Sequence, residues 1–126
     1  MTPGERFVLA LATKDAEAVK ALLCPDVDFK ALTPGRCWES DRAVKVVDEI
    51  ILGTWFAPSD EIEGIEAMET SGVGQRHRVA YRLRVRNSDG LFLVEQQAYY
   101  DCQRERISWL RILCAGFQSV TDGRTS

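Results

Sequence analysis

The run Arg76-His77-Arg78-Val79-Ala80-Tyr81-Arg82-Leu83-Arg84-Val85-Arg86, followed by Asn87-Ser88-Asp89-Gly90 and then by Leu91 to Gln103, decides the fold class. His77, Val79, Tyr81, Leu83 and Val85 alternate with Arg76, Arg78, Ala80, Arg82, Arg84 and Arg86. A period of two belongs to a β-strand, whose successive side chains point to opposite faces. Asn87-Ser88-Asp89-Gly90 marks a hairpin, because glycine takes the positive φ that such a turn requires. If the turn spans Asn87 to Gly90, Leu83 faces Val94, Tyr81 faces Gln96, Val79 faces Ala98 and His77 faces Tyr100. Those side chains share one face, apolar near the turn and polar toward the far end. The other face sets Arg82 against Glu95, Arg78 against Tyr99 and Arg76 against Asp101. A slip of one residue would exchange the two faces.

Outward from this hairpin, Glu61 to Thr70 reads as a preceding strand, with a turn at Ser71 to Gly74, and Arg106 to Val120 as a following one. Upstream of Pro58 the apolar period is that of helices. Thr2 is an N-cap with Pro3 at the first helical position, and Phe7, Val8, Leu11 and Ala12 form the stripe behind them. Asp15 caps a second short helix carrying Val19, Leu22 and Leu23, which ends at Cys24-Pro25. Val27, Phe29 and Ala31 alternate with Asp28 and Lys30 as a short strand, and Thr33-Pro34-Gly35 is a turn. From Ser40, read as an N-cap, Val44, Val47, Ile51 and Trp55 recur at three- and four-residue spacing, which predicts a helix up to Pro58. Helices followed by an antiparallel meander make an α+β fold: a strongly curved antiparallel sheet wrapped around the N-terminal helices encloses a cone whose open end is a pocket. One domain over residues 1–120 accounts for the chain, with a polar, flexible tail over 121–126.

Composition narrows the function classes. The chain has 126 residues, 45% hydrophobic and 28% charged, and a net charge of −3, which argues against disorder and against nucleic acid or anionic membrane as partners. No apolar run is long enough for a membrane helix, and no signal-peptide core is evident at the start. Cys24, Cys37, Cys102 and Cys114 contain no C-x-x-C pair, and His77 is the only histidine, so free thiols, no metal and a cytoplasmic setting are expected. There is no G-x-S-x-G elbow, glycine-rich phosphate loop or H-E-x-x-H helix. The arginine row reads as a solvated face laced with ion pairs, with a dimer contact or a ligand site as the alternatives.

The order of helices, strand, helix from Ser40 and hairpins ending in Arg106-Ile107-Ser108-Trp109-Leu110-Arg111-Ile112-Leu113-Cys114-Ala115-Gly116-Phe117 resembles the nuclear transport factor 2-like superfamily, with its SnoaL-like cyclase and ketosteroid isomerase branches. The resemblance implies a cystatin-like roll, a tendency to form homodimers and a cofactor-free pocket. Its enzymes commonly carry an acid/base aspartate on the last strand. With Ile107 matched to the family's isoleucine, that position holds Ala115, which cannot transfer a proton.

The expected site is therefore the apolar face of the hairpin. His77, Tyr81, Gln96 and Tyr100 should line one cavity, with Trp38 or Trp55 contributed from the helical side. The leading expectation is a pocket protein for a small apolar or aromatic molecule. The alternative is a cofactor-free isomerase, cyclase or dehydratase using His77 with Tyr81 or Tyr100, and a third is a dimerisation domain whose cavity is filled by its own side chains.

Overall fold

Thr2 starts the first helix as expected. Its hydroxyl accepts from the Glu5 N–H at 3.1 Å, and its own N–H donates to the Glu5 carboxylate at 2.9 Å, a reciprocal capping box. Helix α1 covers Pro3–Ala12 and α2, capped by Asp15, covers Ala16–Leu22. The computed structural model describes residues 1–120, and the tail expected from Thr121 lies outside the described residues.

Strand β1 (Leu23–Thr33) follows α2 directly and turns through Pro34-Gly35, with Gly35 at φ 74°, into β2 (Arg36–Ser40). The sequence does not announce β2: it is a five-residue edge strand with little alternation. Ser40 is its last residue, not a helix cap. The next helix instead starts after Arg42, which makes no side-chain capping bond, as a short α3 (Ala43–Lys45). It continues as a π-helix over Val46–Trp55, whose carbonyls are met by N–H groups five residues on. The wider winding corrects the expected stripe. Val46, Val47, Ile50, Ile51 and Trp55 are buried, whereas Val44 is 55% exposed.

After Pro58 come β3 (Glu61–Val73), β4 (Arg76–Asn87), β5 (Gly90–Gln103) and β6 (Arg106–Ser119). The six strands form one sheet in the order β2-β1-β6-β5-β4-β3. Every neighbouring pair is antiparallel except β1 and β6, which run parallel. Breaks in register at Ile62/Gly64, Ile65/Ala67, Val94/Gln96 and Asp101/Cys102 bend the long strands. The hairpin register is the one read from the turn: Leu83 pairs with Val94, Tyr81 with Gln96, Val79 with Ala98 and His77 with Tyr100.

The inner face of the curved sheet holds the core. Phe7, Val8 and Leu11 of α1, Val19 of α2 and the π-helix stripe pack with Phe29, Val79, Leu83, Val94, Leu110 and Ile112 of the sheet. Burying each such side chain contributes about 1.5–3 kcal/mol. The outer face carries the arginine row, and its partners are carboxylates. Arg86 lies 2.7 Å from Glu63, Arg84 2.9 Å from Glu66, and Arg82 3.5 Å from Glu95. No helix among the described residues is long and apolar enough to cross a membrane.

Candidate functional site

Tyr81 and Gln96 stand opposite each other on the inner face of β4 and β5, and both are buried. The Tyr81 hydroxyl donates to Gln96 Oε1 at 2.6 Å. Burial pushes the Tyr81 phenol well above its ordinary pKa of 10.0, with Cys114 adding to the effect, so the hydroxyl keeps its proton. On β6 the cross-strand neighbour of Gln96 is Cys114. Gln96 has given its carbonyl to Tyr81, and its Nε2 is left buried with no partner.

A cavity of about 200 Å³ lies over this part of the sheet. Its walls are Thr33, Thr54, Trp55, Phe56, Val94, Gln96, Cys114, Gly116 and Phe117. It extends from the exposed Thr54 at the end of the π-helix to the buried Val94, Gln96 and Cys114 on the sheet. Trp55 closes the helical side. Its ring is held by Phe29 at 6.1 Å and, edge to face, by Trp38 at 6.0 Å. Trp38 stands behind Trp55 rather than in the wall, and its indole N–H donates to Thr33 Oγ1 at 2.7 Å. The indole Nε1 of Trp55, like Gln96 Nε2, is buried without a partner. Both orphaned donors therefore belong to residues that line a single cavity. Native structures pair the large majority of their buried donors, and the third unpaired one among the described residues, Arg82 Nε, belongs to a residue outside this cavity.

The structure does not bring the other expected residues to this cavity. Tyr100 is buried, but its hydroxyl accepts from the Gly4 N–H at 2.9 Å, tying the start of α1 to the sheet. His77 stacks on Tyr100 with centroids 5.2 Å apart, and it is exposed to solvent. It lies four residues along β4 from Tyr81, about 13 Å away at the rise of a strand. The register is as expected, but β4 runs beyond the core at this end, where its partners Gly72 and Val73 are exposed too. Of the residues expected to share one cavity, Gln96 and Trp55 line this one, Tyr81 and Trp38 contact them, and His77 and Tyr100 are not among its walls.

Thr33, Val94, Cys114 and Phe117 are wall residues that hairpin reading missed. Continuing the pairing across the Arg104-Glu105 turn would set Gln96 opposite Leu113. The bulge at Asp101/Cys102 moves the pairing to Cys114. A second bulge, at Ala115-Gly116 opposite Glu95, has Gly116 at φ 85°, where a Cβ would come within 2.9 Å of Pro34. Ala115 itself is exposed on the outer side, and the inward residue at this level is Cys114.

No family model matches the chain, and no curated protein matches it in sequence. Its likeness to solved structures is extensive. A candidate isomerase from Bacillus subtilis superposes with a TM-score of 0.68 at 11% identity, over 90% of this chain and 89% of the other. An NTF2-like protein from Burkholderia thailandensis gives 0.63 at 15% identity, over 90% and 91%. An LEH-like epoxide hydrolase from M. tuberculosis gives 0.63 at 14% identity, over 89% and 79%.

Proposed function

Starting from a nuclear transport factor 2-like fold, we propose that the chain binds a small, largely apolar or aromatic molecule in the cavity between Trp55 and the inner face of β5 and β6. The observation that carries this reading is the wall itself: aromatic and aliphatic side chains interrupted by two buried donors with no protein acceptor. A mostly apolar concavity with a few polar groups is the usual form of a small-molecule site. The reading as an isomerase, cyclase or dehydratase has less support, because proton transfer needs a titratable group at the substrate. Among the described wall residues that group could only be the Cys114 thiol, while Tyr81 holds its proton and His77 lies outside.

We also propose that copies of the chain pair through the outer face of the sheet, and that the protein works in a reducing cytoplasm, where Cys24, Cys37, Cys102 and Cys114 stay unpaired. The cavity reading is tested by titrating the ¹⁵N-labelled protein with α-methylstyrene. Shifts centred on Trp55, Val94, Gln96 and Phe117 are expected. Shifts confined to the outer face, or none at millimolar concentration with this compound and with acetophenone alike, would overturn it.

A further inference from the structure

Resting on that cavity reading, we infer that the ligand is an uncharged carbonyl compound about one aromatic ring in size, its oxygen accepting from Trp55 Nε1–H and Gln96 Nε2–H, and that Tyr81 is the positioning residue which leaves Gln96 only its donor end to offer.

The argument begins with the amide. A glutamine offers either an acceptor or a donor to its surroundings, and which end it offers depends on its neighbours. Tyr81 donates to Gln96 Oε1 at 2.6 Å, the one bond its buried hydroxyl makes. Turning the amide over would leave the phenol proton without an acceptor, so the carbonyl stays with Tyr81 and the NH₂ remains to be satisfied. Trp55 contributes an indole N–H, which can only donate. Thr33 strengthens the pattern: its oxygen already accepts from Trp38 Nε1 at 2.7 Å, which leaves its hydroxyl proton free to donate.

An acceptor is therefore the missing partner, and its charge follows from the wall. The wall residues include no arginine, lysine or histidine. A carboxylate or phosphate would enter without a countercharge, which buried sites strongly disfavour. A ketone, ester or amide oxygen carries no such penalty. The size follows from the volume. An apolar cavity of about 150 Å³ accepts benzene. One of about 200 Å³ therefore takes a ring with a short carbonyl substituent.

Acetophenone, α-methylstyrene and benzoate make the test, because the first two differ only in C=O against C=CH₂ and the third adds a charge. Dissociation constants come from amide and indole ¹⁵N–¹H shifts. Wild-type protein should bind acetophenone about tenfold or more tighter than either of the others, since the alkene leaves both donors unmade. Gln96→Leu and Trp55→Phe should each remove most of that preference while α-methylstyrene still binds. Tyr81→Phe should do the same without touching the ligand, because the freed amide can present its oxygen; a merely structural role for Tyr81 would leave the ratio unchanged. Equal binding of acetophenone and α-methylstyrene by the wild type, or tighter binding of benzoate, would overturn the inference while leaving the cavity reading intact. Failure of both neutral compounds to bind would overturn the two together. The wild-type ratio decides the matter even if a variant does not fold.

Discussion

Tyr81 and Tyr100 lie on the same sheet face, yet their hydroxyls have different tasks. Tyr100 receives the buried Gly4 N–H, and a Cβ on Gly4 would come within 2.7 Å of that hydroxyl, so the two residues are fitted to each other. Tyr100→Phe leaves a buried donor unpaired and should cost about 1–3 kcal/mol in chemical denaturation, with ligand affinity unchanged. His77→Ala, at an exposed strand end, should move stability by about 0.5 kcal/mol or less. A loss of ligand affinity in either variant would return both side chains to the site. Surface carboxylates set the acid limb of stability. The hydrogen bonds from Thr2 hold the Glu5 carboxyl below its ordinary value of 4.5, and the Arg86 guanidinium does the same for Glu63. A depressed folded pKa contributes stability above the unfolded value that is lost as pH falls through the folded one. The melting temperature should therefore hold steady from neutral pH down to about 5 and decline below about 4.5, with a shallower decline in Glu63→Gln. At this scale much was legible: the turn at Asn87 to Gly90 set the faces of β4 and β5. Whether a residue on the correct face is buried was not legible, because that depends on how far the helices extend over the strand.

The π-helix shows where element-scale reading runs out. Val47, Ile51 and Trp55 are buried under either winding, so the apolar spacing placed a helix correctly and still misassigned Val44. Gly53 reveals the difference. A Cβ there would sit 2.4 Å from the Asp48 carbonyl oxygen, five residues back. In an ordinary exposed helix, glycine to alanine stabilises by about 1 kcal/mol. Here the added methyl group forces the backbone open, so Gly53→Ala should instead destabilise by about 1–3 kcal/mol and shift the Trp55 indole signal. A more stable protein with an unmoved indole would rule out the wide winding. Position 53 thus bears on the candidate site two residues away, through the register that delivers Trp55 to the cavity. Strand β2 and the two bulges of the β5–β6 pair were beyond reach for a related reason. An edge strand has little alternation to show, and a bulge changes pairing without changing composition. The Arg104-Glu105 turn, with φ of 51° and 68°, lacks the glycine that marks the β4–β5 hairpin.

For the whole molecule, the shift of hydrophobic period at Pro58 was enough to predict an α+β fold, and the parallel contact of β1 with β6 is what joins the β1–β2 hairpin to the meander beside the cavity. The outer face is the surface this roll leaves uncovered. Leu32 and Leu113 are 50% and 51% exposed and flank a groove of about 610 Å³ that also touches Cys37 and Tyr99. Lys30, Glu39 and Arg111 border it with both signs of charge, so a second copy related by a two-fold axis could set cations against carboxylates. The arginines of β4 are already paired within the chain, which leaves the apolar groove as the part of this face that gains most from being covered. A stable contact needs about 800 Å² from each partner. Light scattering at tens of micromolar should report about twice the 14.2 kDa chain mass, and Leu113→Glu should return the single-chain mass. Residue 113 points away from the cavity, so the variant's affinity for α-methylstyrene should be unchanged. A wild-type protein that scatters as one chain would refute pairing through this face, and a dimer that survives Leu113→Glu would place the contact elsewhere.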